Sequence, residues 1–350
     1  MATRVLSPLL ALSVGAIAGA LQSHYGRTPA ALTPGEPPVV ADLGSCATES
    51  GEVVRPCRLA YRTFGRLNAR RDNAVLVPTW HGGRSESMTI LLGSGSWVDT
   101  TRYHAILIDG LGFGVSSSPS TSESQPGRRF PRLTMNDMVD AQHRLVTEHL
   151  KLLRLHAVLG WSMGGAQSIA WGLRHPDMMG RIVSVAGPSR MGTSDIYWVR
   201  SMLTLLDLAE RARLPNDTLA AKLTELWHMV ATTPAYENLL PRDSMDAAVA
   251  REAHVDWLPF HPEDNRLQLE ALSGYDAFRD LERFGWARRA TRPRMLLIYM
   301  PDDHVTSAEN FRRFARLADA QAVEFESPCG HLAPVCETAA IGSHVRRFLE

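Results

Sequence analysis

The chain has 350 residues, of which 45% are hydrophobic and 21% are charged, a composition typical of a folded globular protein and not of a disordered chain. Lys+Arg and Asp+Glu are equal at 37 each, so net charge gives no attraction for nucleic acid, and we expect no nucleic-acid partner. The length accommodates one large α/β domain with an insertion, or two domains.

The N-terminus carries an apolar segment. Met1-Ala2-Thr3-Arg4 precedes an apolar run over residues 5–21, which contains the small-residue sequence Ala18-Gly19-Ala20. This pattern predicts a secretory signal peptide over residues 1–21, and hence a secreted or periplasmic protein without stable membrane insertion after cleavage. The alternatives are a retained N-terminal membrane anchor or a cytoplasmic protein. Residues 22–42 hold four prolines without periodicity and are predicted to be a linker.

The four cysteines form two close pairs, Cys46/Cys57 and Cys329/Cys336. An even count beside an export signal predicts disulfides, and the second bridge would hold the loop that carries His331. The alternative is four free thiols in a cytosolic protein. Neither pair has the Cys-x-x-Cys spacing of a structural zinc site, so we predict no metal.

Two strands open the predicted α/β region. Residues 58–67 alternate loosely, and the apolar run of residues 74–77 ends at Pro78 and enters Thr79-Trp80-His81-Gly82-Gly83. A strand that opens into a glycine-rich loop, upstream of a serine nucleophile, is where such sheets place one donor of an oxyanion hole. We select the backbone N–H of His81 for this role; the alternative is an ordinary strand-to-helix turn.

A further strand and a helix follow. The buried strand at residues 104–109 runs into Gly110-Leu111-Gly112, which is not a dinucleotide loop because the third glycine is misplaced and no helix follows. Residues 135–153 carry apolar side chains at helical spacing. This helix leads into another strand, and the strand–helix–strand order predicts a parallel sheet.

The central motif is Gly160-Trp161-Ser162-Met163-Gly164. It lies between an apolar run at residues 155–159 and a helix-like run that stops at Pro176. Gly-x-Ser-x-Gly in a strand–turn–helix context is typical of a nucleophile elbow, in which the glycines make room for a tight turn. We therefore predict Ser162 as the nucleophile and the N–H of Met163 as the other oxyanion donor. The alternative is a chance match in a glycine-rich turn.

The pattern becomes helical after a strand at residues 181–186. Successive helices without a convincing strand predict a helical cap over residues 191–275, inserted between two parts of an α/β core, residues 43–190 and 276–350. Six apolar side chains of the cap are candidates for an acyl pocket, although ordinary packing is the commoner role of such residues. They are Trp198, Met202, Leu205, Leu206, Trp227 and Met229.

A candidate acid and base lie in the C-terminal part. Asp302 and Asp303 follow the apolar run at residues 295–299, and His331 follows the last predicted strand. These positions complete the order serine, aspartate, histidine, with His331 as the base that activates the serine and an aspartate that orients it. The two aspartates compete for that role. We favour Asp303, because related loops place a turn residue four positions after the acid, where Ser307 stands.

Several short segments outside the cap carry a family resemblance. They are Tyr61-Arg62-Thr63-Phe64-Gly65, Pro78-Thr79-Trp80, residues 112–120, residues 136–142, residues 160–165, His175-Pro176-Asp177 and Gly330-His331. With them the chain resembles the homoserine O-acetyltransferase-like branch of the α/β-hydrolase family. The resemblance implies the α/β-hydrolase fold, with a mostly parallel eight-stranded sheet flanked by helices, an inserted helical cap and a Ser-Asp-His triad. Named members transfer an acetyl group from acetyl-CoA to the homoserine hydroxyl.

The chain departs from these transferases at the elbow, where they usually carry Gly-Gly-Ser and this chain has Gly160-Trp161-Ser162. We therefore predict a serine-dependent enzyme that forms an acyl-enzyme on Ser162 and hydrolyses a small ester-type substrate, without a cofactor. The alternatives are an O-acyltransferase with acetyl-CoA as co-substrate and a non-catalytic ligand-binding module. A homodimer is compatible with the sequence.

Overall fold

The computed structural model describes residues 37–254 and 261–350. The predicted signal peptide and residues 22–36 of the predicted linker lie outside these ranges. The end of the linker prediction is wrong, because Val39–Asp42 form a strand that pairs with Arg58–Tyr61. Across the two described ranges, no helix combines the length and the hydrophobicity that crossing a lipid bilayer requires.

The strands of the described residues form one large sheet and one small hairpin. Their bounds are β1 Val39–Asp42, β2 Cys46–Ala47, β3 Val53–Val54, β4 Arg58–Phe64, β5 Ala74–Pro78, β6 His104–Asp109, β7 Leu155–Trp161, β8 Met179–Val185, β9 Arg294–Tyr299 and β10 Gln321–Glu324. The large sheet has eight strands in the order β1-β4-β6-β5-β7-β8-β9-β10. Within this sheet of the described residues, only the β1–β4 and β4–β6 pairs are antiparallel. The predicted mostly parallel eight-stranded sheet is therefore confirmed.

The α-helices of the described residues lie between and around these strands. They are α1 Met135–Arg144, α2 Met163–Arg174, α3 Thr193–Ala212, α4 Asn216–Ala231, α5 Pro234–Glu237, α6 Met245–Glu252, α7 Pro262–Gly274, α8 Ala277–Arg283, α9 Ala308–Ala318, α10 Ala333–Cys336 and α11 Thr338–Leu349. Helices α3 to α7 fall in the segment predicted to be a cap. The strands that bear the catalytic candidates thus precede and follow this helical segment.

Helices cover both faces of the sheet. Trp171 of α2 and Phe311 of α9 belong to the apolar cluster on one face, and Ile341 and Phe348 of α11 belong to the cluster on the other. This cover explains why strands such as β5 are apolar at every position, since a parallel strand buried on both faces exposes no side chain.

The helix predicted over residues 135–153 is shorter than its apolar spacing suggested. Helix α1 ends at Arg144 and continues as a wider π-helical turn, Leu145–His149. Lys151 then adopts a positive φ of 53°, and the chain leaves the helical path. As a result Leu152 is buried, whereas Leu153, the last residue of the predicted helix, is 89% exposed.

Both predicted disulfides are present. Cys46–Cys57 closes the β2–β3 hairpin, and Cys329–Cys336 brackets His331. The alternative of four free thiols is therefore not what the structure contains.

Candidate active site

Ser162 occupies a strained turn between β7 and α2. Its φ of 54° and ψ of −126° lie outside the regions that side-chain-bearing residues favour. The flanking glycines allow the turn, since a Cβ on Gly160 would lie 2.3 Å from the carbonyl carbon of Gly164. A Cβ on Gly164 would lie 2.4 Å from the carbonyl oxygen of Pro78. The turn therefore excludes any larger residue at either position and holds the serine hydroxyl at the sheet edge.

The structure brings together the three side chains predicted for acyl transfer. Nε2 of His331 lies 2.8 Å from Oγ of Ser162, and Nδ1 lies 2.8 Å from Oδ2 of Asp303. All three residues are buried, with exposed fractions of 7%, 1% and 7% for Ser162, His331 and Asp303. A neutral imidazole that donates from Nδ1 to Asp303 leaves Nε2 free to accept from the serine hydroxyl. This is the geometry that proton removal from the serine requires.

Asp303 is fixed by its own loop. Its Oδ1 accepts the N–H groups of Val305 and Thr306, at 2.8 and 3.0 Å, and its Oδ2 accepts the Thr306 hydroxyl at 2.8 Å. Asp302, the competing candidate, is exposed and lies outside this network. The structure thus places Asp303, and not Asp302, beside the imidazole.

Ser307, whose position favoured Asp303 over Asp302, makes contacts of its own. Ser307 accepts the N–H of Asn310 at the start of α9, and its own N–H donates to Asp195 of α3 at 3.0 Å. Burial raises the pKa of Asp195, which also accepts the N–H of Gly192 at 2.7 Å. Asp195 therefore ties the first cap helix to the loop that carries the candidate acid.

The histidine loop is held from two sides. Gly330 has a positive φ of 55°, and the Cys329–Cys336 bridge closes the turn around His331. On the cap side, the hydroxyl of Thr233 donates to the carbonyl oxygen of Pro328 at 2.6 Å. The loop is therefore closed by a covalent bridge and tied to the helical segment by a hydrogen bond.

The two predicted oxyanion donors lie on different elements. Met163 is the first residue of α2, where helices leave N–H groups without partners in the helix. In the second loop, the N–H of Gly82 donates to Gln268 and the N–H of Gly83 donates to the carbonyl of Trp80. These two bonds use the N–H groups of Gly82 and Gly83, and the assignment of the second oxyanion donor to His81 stays a prediction.

Two buried polar side chains of α7 support that second loop. Desolvation lowers the pKa of His81 to about 4, partly opposed by a hydrogen bond to Asn265, so the ring is neutral at pH 7. Gln268 is fully buried, accepts the N–H of Gly82 at 2.8 Å and donates to the carbonyl of Gly112 at 2.9 Å. Gln268 was not predicted, because an isolated glutamine in a helix carries no signal of its distant partners.

Aromatic rings surround the imidazole of His331. The Trp161 ring lies 6.1 Å from it, and the Trp227 ring lies 5.8 Å away at an interplanar angle of 89°. Trp80 packs on Trp161 at 4.6 Å and Trp198 packs on Trp227 at 6.1 Å. These rings give the site an apolar wall built from both the core and the cap.

The cap residues predicted to line an acyl pocket separate into different environments. Trp227 reaches His331, whereas Met202 and Leu206 are fully buried in the core of the cap. Met229 is 72% exposed and lines an outer groove between α3 and α4 together with Leu205. Met229 is therefore open to solvent, and a part for Met229 or Leu205 in an acyl pocket stays a prediction.

The described residues were compared with the needs of a metal site. No group of three or more His, Cys, Asp or Glu side chains is placed there to hold a metal ion. The absence of a metal cofactor stays a prediction.

The amino-acid sequence is similar to those of known hydrolases and acyltransferases. The sequence profile of the alpha/beta hydrolase fold matches residues 93–335. An ethyl acetate hydrolase from Pseudomonas veronii is 34% identical over 204 residues, which are 56% of this chain and 58% of that protein. A homoserine O-acetyltransferase from Solidesulfovibrio magneticus is 40% identical over 166 residues, which are 42% of each chain. The chain thus spans about half the length of the curated relatives it matches.

Solved structures resemble this chain over a greater length. The acetyl esterase MekB superposes with a TM-score of 0.81 at 25% identity, covering 90% of this chain and 97% of that one. A homoserine O-acetyltransferase from Bacillus anthracis superposes with a TM-score of 0.75 at 18% identity, covering 89% and 97%, which shows a shared fold alone.

Proposed function

The chain belongs to the alpha/beta hydrolase fold family, and from this premise we propose that it is a serine-dependent esterase that hydrolyses small esters through an acyl-enzyme on Ser162. One observation carries the proposal: the continuous hydrogen-bonded series from Ser162 through His331 to Asp303, with 2.8 Å at each step. In this proposal the three residues act as a catalytic triad.

The first half-reaction forms the acyl-enzyme. His331 removes the proton of Ser162 through Nε2 as Oγ attacks the ester carbonyl, and Asp303 stabilises the imidazolium that results. The N–H groups of Met163 and His81 are the proposed donors to the negatively charged oxygen of the tetrahedral intermediate. Nε2 then donates its proton to the leaving alcohol, the bond between acyl carbon and alcohol oxygen breaks, and the acyl group remains on Ser162.

The second half-reaction releases the acid. A water molecule donates a proton to Nε2 of His331 as its oxygen attacks the acyl carbon. Collapse of the second tetrahedral intermediate breaks the bond to Oγ of Ser162, and His331 returns the proton to that oxygen. No metal or organic cofactor takes part in either step.

Transfer to an alcohol is the second candidate function. The resemblance to homoserine O-acetyltransferases over about 42% of the chain favours it, since those enzymes share the first half-reaction. Acetyl-CoA would then be the acyl donor and a hydroxyl group the acceptor. Trp161 at the elbow and the named hydrolase among the relatives support hydrolysis instead.

A direct comparison of substrates tests the two functions. The purified protein is given p-nitrophenyl acetate in one assay and acetyl-CoA with homoserine in the other. We expect ester hydrolysis, and a fall of roughly four orders of magnitude or more in kcat for Ser162→Ala with an unchanged circular dichroism spectrum. Transfer from acetyl-CoA that exceeds hydrolysis would replace the first function by the second. Near-normal hydrolysis by Ser162→Ala would exclude Ser162 as the nucleophile.

We infer that the protein is exported. The predicted signal peptide and the two disulfides, which persist in oxidising compartments, support this location. Cell fractionation followed by intact-mass analysis is expected to find the chain outside the cytoplasm, starting near residue 22, with four oxidised cysteines. A cytoplasmic chain that still begins at Met1 and carries free thiols would contradict the inference.

A further inference from the structure

We propose that Trp227 sets the size limit for the alcohol that the site releases and for the acceptor that replaces it. This inference rests on the proposed function and extends it to a specificity-determining residue in the helical cap. Water is small enough to reach the acyl-enzyme, whereas bulkier alcohols collide with the indole ring of Trp227.

The position of Trp227 follows from the rings on either side of His331. Trp161, on the core side, is 6% exposed and therefore enclosed by protein. Trp227, on the cap side, is only half buried and stands edge-to-face to the imidazole at 5.8 Å. Of the two rings beside the imidazole, Trp227 is therefore the more open to solvent, and in this proposal it is the one that an incoming or departing alcohol contacts.

The acid–base chemistry of His331 indicates that the substrate group in contact with Trp227 is the alcohol. Nδ1 is bonded to Asp303, so Nε2 alone gives a proton to the leaving alcohol and takes one from the incoming acceptor. Both oxygens must come within hydrogen-bond distance of Nε2, which holds their carbon chains close to the imidazole and its neighbouring rings. The acyl group is attached to Ser162 instead, so a ring that packs on His331 acts on the alcohol more than on the acid.

Contacts of Trp227 and of the next residue tie this part of α4 to the surrounding helices. The next residue, His228, lies between two carboxylates, with Nδ1 2.9 Å from Glu237 and Nε2 2.7 Å from Glu252. Hydrogen bonds to these carboxylates raise the pKa of His228 to about 10. Trp198 supports the ring of Trp227 from the other side. A ring fixed in this way excludes large alcohols by shape.

Partition of a common acyl-enzyme tests the proposal. Enzyme and p-nitrophenyl acetate are mixed with methanol, 1-butanol or benzyl alcohol, and the ratio of acetate ester to acetate is measured for each. Because both products come from the same acetyl-Ser162, the ratio does not depend on how fast that intermediate forms. We expect Trp227→Ala to raise the ratio roughly tenfold for 1-butanol and benzyl alcohol and to leave it nearly unchanged for methanol.

Two further variants make the test specific. Trp227→Phe keeps a smaller ring and is expected to give an intermediate ratio, which also carries the test if Trp227→Ala does not fold. Tyr197→Ala removes an exposed ring from the outer face of the cap and is expected to leave every ratio unchanged. Equal changes for methanol and benzyl alcohol, or no change in any ratio, would overturn the proposal.

The test separates this inference from the proposed function. If the wild-type protein releases no p-nitrophenol, or if Ser162→Ala releases it at a normal rate, the esterase proposal fails. If the wild-type protein hydrolyses the ester and the Trp227 variants partition as it does, only the role of Trp227 fails.

Discussion

Nδ1 of His331 lies 2.8 Å from Oδ2 of Asp303, and the neighbouring Asp302 is exposed to solvent. We therefore expect Asp303→Asn to lower kcat about 10⁴-fold, because an amide can donate to Nδ1 and stabilise the wrong tautomer of the imidazole. Asp302→Asn removes the same charge from the same loop without touching His331 and is expected to stay close to wild type. The kcat of both variants is measured by hydrolysis of p-nitrophenyl acetate. Equal losses of kcat in the two variants would show that activity depends on the loop as a whole and not on the hydrogen bond between Asp303 and His331.

The sequence predicted those parts of the site in which neighbouring residues determine the local backbone. Gly160, Ser162 and Gly164 follow one another across a single turn, whose steric limits admit little besides glycine at both ends. The parallel sheet was predictable for a similar reason, since apolar runs alternate with helical spacing along most of the core. The bracketing of His331 by two cysteines also follows from short spacing.

Contacts between distant segments were not predictable. Gln268 meets Gly82 across 186 residues and Gly112 across 156, and only the packing of α7 on the core brings them together. Helical periodicity predicted the helices of this segment but not which of their faces turns to His331. Trp227 and Met229 therefore received the same prediction, although Trp227 contacts His331 and Met229 is 72% exposed. The strand at Val39–Asp42 was missed because its pairing partner, and not its own proline-rich surroundings, makes it a strand.

The Cys329–Cys336 bridge leads to a prediction about activity. Replacement of both cysteines by alanine removes the covalent restraint on the turn around His331, in which Gly330 has a positive φ. We expect kcat to fall at least tenfold, because the imidazole is then positioned less precisely. Stability should fall by about 2 kcal/mol, since the closed loop is short. Steady-state kinetics and thermal unfolding of the same preparation measure the two effects.

Replacement of Cys46 and Cys57 by alanine is the matched control for that bridge. This pair closes a hairpin away from Ser162, so its loss should reduce stability and leave kcat close to wild type. Unchanged kcat after loss of Cys329–Cys336 would show that hydrogen bonds, such as those of His331 and that from Thr233 to Pro328, hold the histidine loop without the bridge.

Gln268 is expected to position the oxyanion loop. Gln268→Leu removes this partner from the partly buried N–H of Gly82 and from the buried carbonyl of Gly112, so the loop should shift away from the substrate oxygen. We expect kcat to fall roughly 10²-fold with little change in KM, because the loop binds the transition state more strongly than the ester. Gln268→Glu, which keeps the acceptor for Gly82, should recover part of the activity.

A substitution on the exposed side of the same helix is the control for Gln268. Ser273→Ala should leave kcat and KM unchanged. A variant of Gln268 that loses stability and activity in proportion, with KM rising as kcat falls, would indicate general loosening of α7 and would contradict a role in positioning the loop.

The ion pairs of His228 predict how stability depends on pH. Its pKa is raised to about 10 in the folded protein, first by the hydrogen bond to Glu237 and then by that to Glu252, against about 6.5 in the unfolded chain. The folded state therefore binds more protons between pH 6.5 and 10. Stabilisation by this group is complete below pH 6.5 and is lost as the pH rises through 10.

His228→Gln isolates this contribution from other groups that titrate at alkaline pH. The free energy of unfolding by urea is measured for wild type and variant between pH 6 and 10. We expect the wild type to be more stable at pH 6 and its advantage to shrink by up to about 1.4 kcal/mol per pH unit above pH 6.5. Because His228 adjoins Trp227, partition to benzyl alcohol should rise in the variant as it does in Trp227→Phe. A stability difference that stays constant across this range would show that His228 is neutral in the folded protein, since only a retained proton produces the slope.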